Sequence, residues 1–269
     1  MGVEGMGTVK ACWPAAPLIP GDWSDLAGPA TKELAARIDA LPELRRSGRS
    51  AARMRARAMP FYRDWLLVEA LVRDEEGPFG ILTAVFGTEG LTPVTGESDV
   101  VHRLNAHHLA LTDMDDRLDY LRFFCSATRS ADGRFRIVSD AADLCWKDEA
   151  EDAAVPEART RAADVIAPLR AVDAPEDGEA DPATEIYEAF VGYGDAIFRS
   201  VFALQPSGMV DMQDDEPVMT DLPIRIERFS GPIRLAPGRE PDDADPDDEG
   251  EGNDEDEGDD DDADEVIPF

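Results

Sequence analysis

Residues 65–86 read WLLVEALVRDEEGPFGILTAVF. Two apolar runs, WLLVEALV and GILTAVF, flank an acidic turn that carries Gly77 and Pro78. Runs of that length, rich in branched and aromatic residues and joined by a Gly/Pro turn, form paired strands, so the stretch predicts a β-hairpin. Downstream, LTPVTG (91–96) adds a short edge piece, because Pro93 cannot donate to a central ladder. The next segment, SDVVHRLNAHHLALTD (98–113), fits neither the helical nor the strand period cleanly. DMDDRLDYLRFFCSA (113–127) reads as a helix, with Asp residues in its first turn and Leu118, Leu121 and Cys125 on one face. RSADGRFRIVSD (129–140) turns at Asp132-Gly133 into another strand.

Upstream of the hairpin, TKELAARIDAL (31–41) places Leu34, Ile38 and Leu41 on one apolar face of a short helix stopped by Pro42. Residues 1–24 hold Trp13 and Trp23 in a Gly/Pro-rich arm, and tryptophans of that kind pack against a core. Residues 147–183 are mostly Ala, Asp, Glu and Pro and read as a linker, with a short helix within ARTRAADVIAPLRAV (158–172). EAFVGYGDAIFRSVFALQ (188–205), SGMVDM (207–212) and DLPIRIERF (221–229) return to β. The expected architecture is α+β. A hairpin-rich unit spans 1–146, a linker 147–183, a β-rich segment packed on or beside the first unit 184–237, and a disordered acidic tail 238–269.

The tail follows from composition. The chain has 269 residues with 59 acids and 26 bases, a net charge of −33. Eighteen of the acids and no base fall between Glu240 and Glu265. A segment of Asp, Glu, Gly and Pro buries too little apolar surface to offset its ordering entropy. The charge excludes a protein that coats duplex DNA with its whole surface and argues against docking on anionic membranes. No stretch approaches 18 apolar residues, and the first twenty show no signal-peptide run. Three cysteines without regular spacing make no disulfide framework. These features predict a soluble cytoplasmic protein. Only three of the 26 bases are Lys, a bias typical of GC-rich bacterial genes.

The acidic run ends in Val266-Ile267-Pro268-Phe269. A terminal Phe fills a pocket, Pro stiffens the approach, and the α-carboxylate pairs with a base at the rim. The end DDDDADEVIPF (259–269) resembles the C-terminal tip of bacterial single-stranded DNA-binding protein, in which an acidic run closes on Ile-Pro-Phe. That tip recruits replication, recombination and repair enzymes through an apolar pocket with a basic rim. The resemblance covers the last ten residues closely and the last thirty in character. It implies that Phe269 fills the pocket, Pro268 packs beside it and Ile267 adds an apolar contact. Asp262, Asp264 and Glu265 would make the electrostatic contacts. Val266 stands where that family carries an acid.

Other constellations carry other expectations. LRRSGRSAARMRARAMPFYR (44–63) holds Arg45, Arg46, Arg49, Arg53, Arg55, Arg57 and Arg63 without an acid and reads as the chain's basic cluster. With Phe61, Tyr62 and Trp65 alongside, it is a candidate surface for single-stranded DNA. The competing reading is a helix face paired with the chain's own acids, and a related one has the acidic tail fold back onto these arginines. His102, His107 and His108 lie within seven residues but match no zinc signature, and Asp211, Asp214, Asp215 and Glu216 lack the nearby Lys common in nuclease sites. Cys125 reads as a packing residue, no cofactor motif is present, and no metal site is expected. The leading expectation is a DNA replication, recombination or repair accessory protein that docks on partner enzymes through its tip and binds single strands through the Arg segment. The alternatives are an acidic adaptor, such as a phage or defence interaction protein without DNA binding, and an enzyme with an unrecognised metal site.

Overall fold

The computed structural model describes residues 13–130, 132–173 and 183–241. The chain opens with β1 (Ser24–Asp25), α1 (Pro29–Asp39) and α2 (Pro42–Ser47). Pro42, expected to stop the first helix, also starts the second, where its missing N–H costs nothing. Gly48 closes α2 at φ 65°, a left-handed cap that favours glycine. The arginine-rich run then leaves the helix and becomes strand β2 (Ser50–Ala58).

The quoted hairpin forms as expected, from β3 (Leu66–Asp74) and β4 (Gly77–Gly87), with Gly90–Pro93 adding β5 at the edge of β4. At Gly87 the Trp65 ring occupies the space that a Cβ would need. The ambiguous segment becomes helix α3 (Ser98–His108), because Val100, Val101 and Leu104 give it one buried face. Helix α4 (Met114–Ala127) starts at Asp113, whose side chain accepts the Asp116 N–H at 2.9 Å. Short strands follow at β6 (Arg129–Ser130), β7 (Gly133–Arg134) and β8 (Arg136–Val138).

Within the segment expected to be a linker lie helix α5 (Val155–Val165) and strand β9 (Arg170–Val172). A second hairpin, β10 (Glu185–Tyr193) with β11 (Ala196–Leu204), extends to β12 (Val210–Met219). The run 221–229 departs from the strand reading. Ile224 makes an isolated bridge to Trp146, and regular pairing resumes only at β13 (Phe229–Ser230) and β14 (Ile233–Leu235).

Among the described residues two large antiparallel sheets result, beside a two-stranded pairing of β6 with β7. The first runs β1-β2-β3-β4-β14-β13, with β5 on β4; the second runs β12-β11-β10-β8, with β9 on β10. Alternation along β3 serves two cores. Val68, Ala70 and Val72 face Leu34, Ile38 and Leu44 of α1 and α2, whereas Leu67 faces the central cluster. That cluster joins Val101 and Leu104 of α3, Tyr120 and Phe123 of α4, and Tyr187, Val191 and Phe202 of the second sheet. On the far side of the second sheet, Phe190 and Ile197 pack against Ala158 and Ala162 of α5. The fold is α+β, layered as helices, sheet, helical core, sheet and helix. One core spans both sides of the expected boundary, since β8 pairs with β10 and β14 with β4.

Candidate functional site

Residues Asp262, Asp264, Glu265, Ile267, Pro268 and Phe269 lie outside the described residues, as do those of the acidic tail from 242 onward. The basic cluster lies within them, and the fold divides it. Arg45, Arg46 and Arg63 are exposed. Arg49 rests its guanidinium 3.4 Å above the Phe79 ring. Arg53, Arg55 and Arg57 alternate along β2 and so share one face, which meets acids of this chain. Arg53 reaches Asp25 at 2.6 Å, Arg55 reaches Glu69, and Arg57 reaches Asp119 and the Pro20 carbonyl. Arg55 also stands over the Trp13 ring at 4.1 Å, which places that end of the N-terminal arm on the sheet. Trp65 is 4% exposed, and Phe61 and Tyr62 are fully buried in the central core. None of the three rings offers a face on which a base could stack. Pairing with the chain's own acids, the competing reading of this cluster, describes Arg53, Arg55 and Arg57, although on a strand rather than a helix.

The remaining constellations stay apart. His108 Nε2 lies 3.3 Å from Glu89 Oε1. Asp211, Asp214, Asp215 and Glu216 lie exposed along the edge strand β12, where charge discourages pairing with another chain. Among the described residues no group of three His, Cys, Asp or Glu side chains is placed to hold a metal. Burial pushes the Cys125 thiol up to about 12, so it carries no thiolate at neutral pH.

A groove of about 980 Å³ opens on the body, and three separate stretches build it. Leu144 to Lys147, Glu151 and Arg159 form one wall, Ile224 to Arg228 another, and Arg234 to Glu240 the third, with Pro14 and Ala15 at one end. Its apolar surface comes from Trp146, Ile224, Ile226, Leu235 and Pro237. Ile226 is 51% exposed and adds open apolar surface to the groove. Its charged surface is mostly cationic: Lys147, Arg159, Arg225, Arg228, Arg234 and Arg239 against Glu151, Glu227 and Glu240. Among the lining side chains alone that is a cationic excess, in a chain of net charge −33.

The rim cations have local partners. Arg225 reaches Asp148 at 2.7 Å and Glu151 at 2.9 Å, Arg239 reaches Asp74 at 2.8 Å, and Arg228 pairs with Glu240. The exposed pairs of Arg225 and Arg228 are worth about 0–1 kcal/mol each, whereas Arg239 and Asp74 are partly buried.

Beneath the rim lies a buried ion network. Glu69 of β3 is completely buried and accepts from Arg55 Nε at 2.6 Å, the Leu18 N–H at 2.7 Å and Arg234 at 3.3 Å. Arg234 donates at 2.9 Å to Glu227 and at 2.8 Å to the Ala16 carbonyl. Arg134 donates at 2.9 Å to the same Glu227 oxygen and at 2.9 Å to the Leu18 carbonyl. Burial alone would push the Glu227 carboxyl up. The charges of Arg134 and Arg234, with the Arg134 hydrogen bond, outweigh it and hold the group down at about 2. Three arginines thus surround two carboxylates. Arg234 lines the groove, is 3% exposed, and keeps a buried Nε without a hydrogen-bond partner.

The sequence reading missed this site. A local signal existed, in Arg225, Arg228, Arg234 and Arg239, four bases within fifteen residues just ahead of the tail. Interspersed acids and the alternation of 224–228 made that stretch look like a strand. No protein-family model, curated protein or solved structure matches the chain.

Proposed function

We propose that this protein is an accessory factor of DNA replication, recombination or repair that docks on partner enzymes through its C-terminal tip. The observation that carries the reading is the order of residues 259–269. Six acids within 259–265, interrupted only by Ala263, are followed by Val-Ile-Pro-Phe, a pattern that suits an apolar pocket with a basic rim. Steering is supplied by the acidic run, whose long-range attraction to a basic surface weakens with salt. The folded body acts as the cargo that the tip delivers. DNA contact belongs to the partner in this reading, since Arg53, Arg55 and Arg57 are engaged inside the body.

The test is a competition measured by fluorescence anisotropy. A labelled tip peptide of bacterial single-stranded DNA-binding protein is bound to a purified repair enzyme that recognises it, and the full chain is added. The full chain should displace the peptide, and Phe269→Ala should weaken displacement by at least about tenfold, the equivalent of about 1.4 kcal/mol. Equal competition by both chains, or by neither, would replace this reading with that of an acidic adaptor.

A further inference from the structure

We propose that the basic groove of the body receives this chain's own C-terminal tip, residues 262–269, and thereby withholds the tip from partners. The regulatory part of the proposal rests on the docking function above; the occupancy of the groove does not.

Four observations select this occupant. First, the groove has the composition the tip requires. Trp146, Ile226 and Leu235 offer apolar surface, with Ile226 51% exposed, and Arg159, Arg225 and Arg228 supply a basic rim. Second, the acidic run begins at this place. Glu240, its first acid, lines the groove and pairs with Arg228, so the chain enters the tail from the groove wall. Third, length permits return. The 28 residues from 242 to 269 reach up to about 90 Å at roughly 3.3 Å per residue, far more than a turn back to the groove needs. They carry 17 acids and no base, a charge complementary to the six cations that line the groove. Fourth, Arg234 lies in the lining, 3% exposed, with a buried Nε that has no hydrogen-bond partner among the described residues.

The volume, about 980 Å³, lies at the upper end of the roughly 300–1,000 Å³ typical of ligand pockets. A tethered tip meets the groove at a local concentration on the order of millimolar, so weak intrinsic affinity suffices to keep it occupied. The N-terminal arm also borders the groove, at Pro14 and Ala15. Residues 1–12 hold one acid, Glu4, and one base, Lys10, and so lack the charge complementarity of the tail.

The experiment uses the full chain with Phe269 replaced by the photo-crosslinking analogue p-benzoylphenylalanine, a change at the last residue that leaves the body untouched. After irradiation, peptides are mapped by mass spectrometry at several protein concentrations. The expected result is intramolecular crosslinking to groove residues such as Trp146, Ile226 or Leu235, independent of concentration. It should fall at least threefold in Arg225→Glu/Arg228→Glu, two changes at exposed positions whose folding is checked by circular dichroism. Crosslinks between chains that grow with concentration would overturn the proposal in favour of a second copy. Crosslinks elsewhere, or none, would overturn it outright. In the anisotropy competition, the same double variant should displace the peptide about three- to tenfold better than the unmodified chain. If crosslinking maps to the groove but no variant competes at all, the docking function fails while groove occupancy stands.

Discussion

Replacing Glu227 with Gln isolates the charge at the centre of the buried network. The shape and one acceptor oxygen are kept, and Arg134 and Arg234, each 3% exposed, lose a shared anion. The cost follows from titration. The Glu227 carboxyl is held at about 2 against an ordinary value of 4.5. At about 1.4 kcal/mol per pH unit, that gap is worth on the order of 3 kcal/mol at neutral pH. Because the folded value is depressed, this stability is fully present above about pH 4.5 and is lost as pH falls toward 2. The difference between the original chain and Glu227→Gln should therefore be about 3 kcal/mol at pH 7 and only about 1.5 kcal/mol at pH 3. Urea unfolding followed by tryptophan fluorescence at the two pH values measures both numbers. At pH 7 the midpoint temperature should also drop by about 6–12 °C for a chain of this size. A penalty below about 1 kcal/mol at pH 7, or one that stays the same at pH 3, would refute the view that Arg134 and Arg234 hold Glu227 ionised inside the fold.

Further expectations address other parts of the molecule. Arg55→Ala leaves Glu69 buried with one fewer cation and should cost about 3–5 kcal/mol, whereas Arg45→Ala and Arg46→Ala, on the exposed face of α2, should each stay within about 0.5 kcal/mol in the same unfolding assay. Gly208→Ala should destabilise by about 1–3 kcal/mol. Gly208 holds φ 80°, and an added Cβ would meet Leu109 at 2.5 Å and Asn105 at 2.6 Å, beside the Tyr120 hydroxyl that donates to the Gly208 carbonyl. A thiol reagent at pH 8 should label Cys145 in the folded protein and Cys125 only after unfolding, because Cys125 is buried and its thiol stays protonated; peptide mapping of the labelled cysteines checks this.

The hairpin at 65–86, the helices over 31–41 and 113–127, and the hairpin at 188–205 could be read directly, because each rests on local periodicity and turn chemistry. Helix α3 could not, since the two histidines at its end and the adjacent Val100-Val101 pair blur the 3.6-residue period, and only burial against α4 and the first sheet settles it. The run 221–229 alternates like a strand yet mostly finds no ladder: Ile224 makes only an isolated bridge to Trp146, and residues 224–228 form a wall of the groove.

Composition by itself determined the acidic character of the chain, the position of its acidic tail, and the apolar Ile267-Pro268-Phe269 end that suggests a docking peptide. Those are properties of residue identity and order, and they need no knowledge of which residues meet. What the arginines do was decided only by tertiary structure. Arg45 and Arg55 stand ten positions apart in one basic run, yet one faces water and the other is 7% exposed against Glu69. The groove likewise depends on bringing 144–159 beside 224–240, and Glu227 beside Arg134, 93 positions away. A charge's meaning is set by its neighbours and by how much water it keeps, and both are long-range outcomes of packing that no local pattern encodes.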